Sequence, residues 1–412
     1  MVSKTPVIIS TDPGVDDIVA ILLALASPEL EILAFITSFG NTDAESSRRN
    51  IFKTYQAVSR HLEQFPEDAS RFPNFGAQVI LARGSAGPLE GEVHSAQYFH
   101  GRDGLGEITE RHPELDVQDQ LPQLILSDST GSQVAAELIR TRAPRTITYI
   151  ALGPLTDLAQ LMAEHGDLVR DRIGRIVCMG GALDVPGNTS PVAEFNFFAD
   201  PYAVKNVLIE NPKTLVPLDR FILLPLDITT PHEFPFPYYK DKIDPSFETS
   251  TQPSDGATKS PLVHFTSSFL EQARVVMLAF GKDAMELHDI VAMWCAIENP
   301  PGVDTLAVGW KARNRVFDIE RTGELTRGML VVDRREDASA YAPGVNRAAV
   351  QAELEQQNFA HATFESTAVP ALVETEQEPT TDSSDGVLCV YRTPGPAALL
   401  DLLTSRVWGV SV

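Results

Sequence analysis

The chain has 412 residues, of which 43% are hydrophobic, and it carries a formal net charge of −23. This length and composition are sufficient for one large α/β domain or for two smaller ones. The negative charge argues against binding to nucleic acid or to an anionic membrane surface, because both are polyanions that such a surface repels.

The chain also lacks the usual signs of export or membrane insertion. No apolar run approaches the roughly 20 residues of a transmembrane helix. The first predicted strand begins within a few residues of Met1, which leaves no room for a signal peptide. The three cysteines lie far apart in apolar runs and are expected to be buried free thiols: Cys178, Cys295 and Cys389. A cytoplasmic protein is therefore expected.

Predicted strands and helices alternate along the first half of the chain. Apolar runs predict strands at Val7–Ser10, Glu31–Thr37, Thr146–Ala151 and Arg175–Met179. Helices are predicted at Ile18–Ala26, Ser46–Leu62 and Leu155–Ala163. This alternation predicts an α/β fold with a mainly parallel open sheet and helices on both faces, the arrangement of a Rossmann-like core.

The second half contains segments that do not follow this alternation. Gln64–Phe75 and the proline-rich Pro231–Pro261 are predicted to be loops, the second of them near an active-site mouth. Glu374–Gly386 is rich in Glu, Asp, Thr and Ser and is predicted to be disordered. A strand is predicted after it at Val387–Arg392, and a helix at Pro396–Trp408 with Leu399, Leu403 and Val407 on one face.

Three aspartates lie between the first predicted strand and the first predicted helix. Asp12, Asp16 and Asp17 surround a Pro-Gly turn in the position where open α/β sheets bind their ligands. Like charges this close destabilise the fold unless a cation neutralises them, and carboxylate oxygens suit Ca²⁺ or Mg²⁺. Alternatively, Asp16 and Asp17 only interact with the helix dipole while Asp12 faces water.

This loop and four further motifs, in the same order, resemble the inosine-uridine preferring nucleoside hydrolase family. The motifs are Asp12–Asp17, Phe39–Asn41, His100–Gly106, the run from Met179 to Pro201 that includes Gly187–Asn196, and His288–Asp289. The resemblance implies hydrolysis of the N-glycosidic bond of ribonucleosides to free base and ribose, in a nucleoside hydrolase-like fold. It also implies a role in purine or pyrimidine salvage, with a small-molecule ribonucleoside as partner and self-association as a dimer or tetramer.

The resemblance assigns a Ca²⁺ ion and the group that activates the attacking water. Asp12 matches the residue that both touches the metal and takes a proton from the metal-bound water. The other implied metal ligands are Asp17, Asp289 and the main-chain carbonyl of Leu152. Without the motif, Asp289 could equally be a helix N-cap. Ser10 stands where the family usually has another aspartate.

Further residues match positions that hold the nucleoside. Asp16 matches a contact to the ribose 2′-hydroxyl, Asn41 lies beside the metal, and the implied contacts to the other ribose hydroxyls are Asn188, Glu194 and Asn196. Phe195 could line the sugar or belong to the core. His288 matches the acid for the departing base and His100 a base-pocket residue, a pair of histidines similar to that of base-tolerant and pyrimidine-preferring members.

Simpler interpretations of these residues remain. Asn188 could be a turn residue and Glu194 a surface acid, and either histidine could be structural. A catalytically degenerate protein that binds Ca²⁺ or a nucleoside is an alternative function. A phosphatase of the haloacid dehalogenase type is another alternative, but its nucleophile would fall at Ser10.

The resemblance also bears on domain organisation. Family chains close with a strand and a helix directly after a segment similar to Gly328–Asp333. We therefore expect residues 1–412 to form a single domain that is interrupted by an acidic, partly disordered insertion at about Arg334–Gly386.

Overall fold

Thirteen β-strands occur in the residues that the computed structural model describes, which are 4–117, 120–210, 213–247, 253–303, 305–332 and 386–410. They are β1 (Thr5–Thr11), β2 (Leu30–Thr37), β3 (Val79–Arg83), β4 (Leu124–Thr130), β5 (Thr148–Ala151), β6 (Arg175–Met179), β7 (Phe221–Leu224), β8 (Glu233–Pro235), β9 (Ala284–Glu286), β10 (Lys311–Arg315), β11 (Phe317–Ile319), β12 (Leu330–Val332) and β13 (Val387–Arg392).

The same described residues form thirteen α-helices and one π-helical segment, which is labelled α13. They are α1 (Val15–Leu25), α2 (Ala44–Gln64), α3 (Gln97–His100), α4 (Ile108–Arg111), α5 (Gly131–Thr141), α6 (Thr156–Arg172), α7 (Phe195–Ala199), α8 (Pro201–Lys205), α9 (Leu226–Thr229), α10 (Phe236–Lys242), α11 (Pro261–Ala279), α12 (His288–Glu298), α13, which is the π-helical segment Asn206–Glu210, and α14 (Pro396–Trp408).

Nine of the strands form one sheet in the order β10-β13-β7-β6-β5-β1-β2-β3-β4. All neighbouring pairs are parallel except β10 and β13 at one edge. The chain runs outward from β1 to β4 and then returns to the other side of β1 with β5. This reversal creates a crevice at the carboxyl ends of β1 and β5, where ligands bind in open α/β sheets.

Both faces of the sheet are covered, as the sequence predicts. Alternate residues of a strand point to opposite faces, so Val7 and Ile9 belong to one buried cluster and Ile8 to the other. Helices α1, α2, α11, α12 and α14 contribute to the first cluster, while α5, α6 and α8 contribute to the second. The parallel sheet with helices on both faces is therefore confirmed.

Several predicted elements are confirmed with small changes of boundary. The first helix is buried along nearly its whole length, which explains why its sequence has no polar face. The closing strand β13 and helix α14 occur as predicted, and Leu399, Leu403 and Val407 are fully buried. All three cysteines are free and buried.

Two predicted loops are wrong in part. Gln64–Phe75 contains a 3-10 helix at Pro66–Arg71, and Phe72 and Phe75 are buried in the core. Pro231–Pro261 contains β8 and α10, whose aromatic side chains Phe234, Phe236 and Tyr239 are buried. Proline is compatible with the first turn of a helix. A prediction based on proline content alone therefore overestimated the length of these loops.

Most of the predicted insertion at Arg334–Gly386, including nearly all of Glu374–Gly386, lies outside the described residues. In the part of the chain that is described, none of the helices has both the length and the apolar character needed to cross a membrane.

Candidate active site

Three of the predicted aspartates meet at the carboxyl end of the sheet. Asp16 and Asp17 lie in the first turn of α1 and Asp289 lies in the first turn of α12. Because these two helices pack against each other, carboxylate oxygens of the three residues come within 4.8 Å of one another. The N-cap of α12 is Leu287, so Asp289 does not cap that helix.

Asp12 lies beside this cluster and is connected to it through Asn41. The backbone N–H of Asn41 donates to Asp12 Oδ2 over 2.7 Å, and its side-chain Nδ2 donates to Asp17 Oδ2 over 2.8 Å. The other oxygen, Asp12 Oδ1, is buried and has no hydrogen-bond partner among the described residues. A Cβ atom on Gly153 would lie 2.3 Å from Asp12 Oδ1, so only glycine fits there.

Asp17 is also part of the local structure of its loop. Its Oδ2 accepts a hydrogen bond from the backbone N–H of Gly14 over 3.0 Å, and its Oδ1 accepts one from the hydroxyl of Thr11. Asp17 therefore stabilises the start of α1, as the simpler interpretation expected, and it also belongs to the acid cluster.

The cluster is electrostatically unfavourable when its carboxylates are all ionised. Burial, followed by the charge of Asp17, raises the pKa of Asp12 well above its usual range. The same two causes raise the pKa of Asp16 to about 7, and burial together with all three other aspartates raises the pKa of Asp289. A divalent cation would remove this penalty, and the free Asp12 oxygen and the all-oxygen cluster fit a hard cation such as Ca²⁺.

The loop that follows β6 supplies amide and carboxylate groups next to these acids. Asn196 donates through Nδ2 to the main-chain oxygen of Leu152 over 2.6 Å. Glu194 caps α7 by accepting from the backbone N–H of Asn196, and it also accepts from that of Gly181. Asn188 Oδ1 accepts from the backbone N–H of Phe195 over 2.9 Å. Glu194 is thus buried, not the surface acid that the simpler interpretation expected.

A cavity of about 210 Å³ opens above this loop and the acid cluster. Ten of the residues singled out from the sequence line it: Asp16, Asn41, His100, Leu152, Asn188, Glu194, Phe195, Asn196, His288 and Asp289. Phe195 is 6% exposed, so it both lines the cavity and belongs to the protein interior. The described residues of Pro231–Pro261 are not among those that line this cavity, and the expectation that this segment lies near its mouth stays a prediction.

His100 is held in one tautomer by the acid loop. Its Nδ1 accepts a hydrogen bond from the backbone N–H of Val15 over 3.0 Å, which leaves the proton on Nε2. Burial and the charge of His288 lower the pKa of His100 to about 3. It therefore offers the cavity a neutral N–H donor.

His288 has partners at both ring nitrogens. Nδ1 lies 2.8 Å from the hydroxyl of Thr229 and Nε2 lies 3.1 Å from Glu286 Oε2. Desolvation opposes charging of the ring, but the contact with Glu286 and the charges of Asp16 and Glu194 outweigh it and raise the pKa of His288. Burial acts to raise the pKa of Glu286, but His288 and Lys282 together lower it to about 2.

Sequence reasoning missed several residues that line the cavity. They are Ala96, Tyr98, Phe99, Met179, Met277, Phe280, Lys282, Met285 and Glu286. Lys282 donates to Glu286 over 2.5 Å, which links the turn after α11 to the strand before His288. The only sequence signal for Glu286 was an acid two residues before His288, and nothing marked the apolar residues of α11 as cavity residues.

These features define a class of protein: an α/β protein with a buried acid cluster that could hold a cation at the sheet's switch point, beneath a cavity lined by histidines and amides. The model of the inosine-uridine preferring nucleoside hydrolase family matches residues 7–361. The chain belongs to this family, and it is a hydrolase acting on N-glycosyl bonds.

Curated relatives agree with this membership. The chain is 30% identical over 341 residues to the pyrimidine-specific ribonucleoside hydrolase RihA of Shewanella sp. strain MR-7, covering 80% of this chain and 86% of that protein. It is 30% identical to the protein of the same name from Klebsiella pneumoniae subsp. pneumoniae, covering 80% of this chain and 88% of the relative.

Solved structures show the same fold. A plant nucleoside hydrolase, PpNRh1, superposes with a TM-score of 0.65 at 21% identity, covering 98% of this chain and 99% of that one. A purine-preferring ribonucleoside hydrolase from Gardnerella vaginalis superposes with a TM-score of 0.64 at 18% identity, covering 98% of each chain.

Proposed function

We propose that this protein hydrolyses ribonucleosides to free base and ribose in the cavity above the acid cluster, with Ca²⁺ as its metal and Asp12 as general base. The observation that carries this proposal is the buried Asp12 oxygen, which has no partner in the described part of the chain and lies beside three converging aspartates at the switch point of the sheet. Family membership supports the same reaction and removes the reason to consider the phosphatase alternative.

The proposed metal ligands are Asp12, Asp17, Asp289 and the main-chain oxygen of Leu152. Asp16 has an oxygen in the same cluster, and its position at the cavity surface also fits the proposed contact to the ribose 2′-hydroxyl. A bound Ca²⁺ would keep these carboxylates ionised, lower the pKa of a nearby water and hold vicinal sugar hydroxyls.

The chain's own residues would divide the remaining work. Asp12 takes the proton from the attacking water through its free oxygen Oδ1. Asn188, Glu194 and Asn196 orient the ribose hydroxyls with side chains that are held by hydrogen bonds to the backbone. Asn41, whose side chain donates to Asp17, assists them from its place beside the proposed metal. Phe195 lines the sugar, and such rigid positioning reduces the entropic cost of reaching the transition state.

The departing base would leave on the histidine side of the cavity. Glu286 is an acceptor when ionised, so His288 Nε2 carries a proton at the cavity surface. We propose that His288 delivers this proton to the base, while His100 donates a hydrogen bond to the base from Nε2. A positioned acid of this kind contributes about 10²–10⁴-fold to a rate.

Release of base from uridine and inosine, measured with and without a chelator, tests this proposal. We expect both substrates to be cleaved, chelation to stop the reaction and Ca²⁺ to restore it. Asp12→Asn should fold normally but lose most of its activity, because an amide cannot accept a proton from water. A protein that binds Ca²⁺ or nucleoside but releases no base is instead the degenerate binding protein.

Water, not phosphate, should be the attacking group. The described cavity lining contains Lys282, which is paired with Glu233 and Glu286, and no arginine that would hold a phosphate. Uridine incubated with phosphate should therefore yield free ribose. Ribose 1-phosphate as the product would contradict hydrolysis.

A further inference from the structure

A second group of potential metal ligands lies away from the acid cluster. His112 follows α4, Glu114 lies in the 3-10 turn Pro113–Leu115, and His264 lies in the first turn of α11. Glu114 Oε1 is 3.2 Å from His112 Nδ1 and 2.9 Å from His264 Nε2. Three donors from two separate segments therefore converge on one point.

These distances are similar to those of a metal coordination shell. Zn²⁺ bound by His and Glu at about 2.0–2.2 Å in a tetrahedron places its ligands about 3.4 Å apart. The two separations that involve Glu114 Oε1 differ from this by about half an ångström or less, and ligand atoms of all three residues lie within 4.8 Å of one another, so small side-chain rotations would admit the ion. Two histidines and one glutamate are a donor set that Zn²⁺ accepts.

The outer nitrogen of each ring faces an acceptor, which is the usual arrangement of histidines that bind metals. His264 Nδ1 lies 3.0 Å from the hydroxyl oxygen of Ser254. His112 Nε2 lies 3.8 Å from a carboxylate oxygen of Glu271, which is itself buried and paired with Arg111. A metal ion on the inner nitrogen of each ring would place the proton on the outer nitrogen, where Ser254 Oγ and Glu271 can accept it.

His112 is poorly satisfied without an ion. The ring is buried, and Nε2 has no hydrogen-bond partner among the described residues. If neutral His112 donates from Nδ1 to Glu114, its Nε2 lone pair points at the Glu271 carboxylate, which has nothing to donate. An ion bound to Nδ1 removes this unfavourable contact, because the proton then lies on Nε2 and faces the Glu271 carboxylate.

We propose that His112, Glu114 and His264 bind a Zn²⁺ ion, with the fourth position open to water on the side where Glu114 is exposed. Such an ion would attach the segment that follows His100 to α11, whose last turn carries the cavity residue Met277. The site stands independently of the proposed reaction, because its nitrogen donors distinguish it from the all-oxygen acid cluster.

Titration of the metal-free full-length chain with Co²⁺, in excess Ca²⁺ to fill the oxygen cluster, tests this proposal. We expect one equivalent of Co²⁺ to give the intense visible absorption of a tetrahedral site with nitrogen ligands, and one equivalent of Zn²⁺ to remove it. Zn²⁺ should also raise the melting temperature of the wild-type protein.

Two variants separate coordination from hydrogen bonding. His264→Gln retains an N–H donor for Glu114 but is a poor metal ligand, and the half-exposed Glu114→Gln should fold in any case. Each should weaken Zn²⁺ binding by roughly 10²-fold or more, since even outer-sphere partners contribute about 10–100-fold. Ser254→Ala should weaken it by about 10–100-fold. His165→Gln, which alters a histidine next to Glu164 outside the cluster, should bind Zn²⁺ normally.

Either of two results would overturn the proposal. One is the absence of the Co²⁺ absorption band from the wild-type protein, which would show that His112 lies between the carboxylates of Glu114 and Glu271 without binding an ion. The other is an unchanged band and an unchanged zinc affinity in both His264→Gln and Glu114→Gln.

Discussion

At the scale of single residues, the site depends on how closely the backbone approaches Asp12. Gly153 and Gly40 flank this carboxylate so tightly that a Cβ on either would overlap an Asp12 oxygen. Because Asp12 Oδ1 is the buried oxygen without a partner, its position decides whether it can act as a ligand or a base. The two glycines are thus part of the site although they carry no chemistry.

Gly153→Ala tests this steric requirement. The new methyl group must push the Asp12 carboxylate aside, and a displacement of about 1 Å can reduce a rate by about 10²-fold. We expect turnover of uridine to fall by that order while circular dichroism shows a folded protein. Gly76→Ala is the matched control, because a Cβ there meets nothing within 4 Å. Wild-type turnover by Gly153→Ala would show that the carboxylate has room to move.

His288→Ala tests the proposed proton donor. A nucleobase anion departs poorly, whereas the phenolate of p-nitrophenyl riboside leaves without a proton. The turnover of inosine or uridine by the variant should therefore fall by about 10²–10⁴-fold, and its turnover of the activated substrate should fall much less. Equal losses on both substrates would mean that His288 only positions the loop of Asp289.

At the scale of elements, the site exists because the N-termini of α1 and α12 point at the same place. The apolar sequence of α1 predicted a buried helix, and it is buried between the sheet and its neighbours in the larger cluster. The closing helix α14 belongs to the same cluster through Leu399, Leu403 and Val407. The stability of the site therefore depends partly on residues near the end of the chain.

Leu403→Ala should destabilise the protein by about 2–5 kcal/mol, because it leaves a cavity where a fully buried side chain was. Leu402→Ala is the matched control, since Leu402 is only partly buried against the same core. Chemical denaturation followed by tryptophan fluorescence measures the free energy of unfolding of both variants. The control should lose distinctly less of this free energy than Leu403→Ala. Similar losses in both variants would contradict the assigned face of α14.

At the scale of the whole molecule, we propose one domain interrupted near residues 334–386. Strand β12 ends at Val332 and β13 begins at Val387, and β13 lies between β7 and β10 inside the nine-stranded sheet. A separate C-terminal domain would not supply an interior strand to this sheet. The segment between these strands lies outside the described residues, so any expectation about its importance rests on its acidic sequence alone.

Replacement of Glu374–Asp385 by a short Gly-Ser linker should leave stability and activity little changed, because this stretch has hardly any large apolar residue to bury. The same replacement of Val387–Arg392 should prevent folding, since it removes an interior strand. Thermal denaturation and soluble yield measure both effects. Loss of soluble protein in the first variant would show that the acidic segment docks on the body.

The sequence alone predicted the alternation of strands and helices, the parallel sheet and the aspartate loop, because these are encoded by local periodicity and by motifs close in the chain. It also pointed to the distant partners Asn41, Glu194, Asn196 and His288, but only through resemblance to a family.

Only the tertiary structure decided which groups share the cavity and which of them are already satisfied. The contact between His288 and Glu286, the free oxygen of Asp12 and the burial of Phe72 all depend on groups that are distant in the chain and meet only in the folded protein. The His112–Glu114–His264 cluster likewise joins residues 150 positions apart. Such contacts are set by the packing of helices on the sheet, and no local pattern in the chain carries that information.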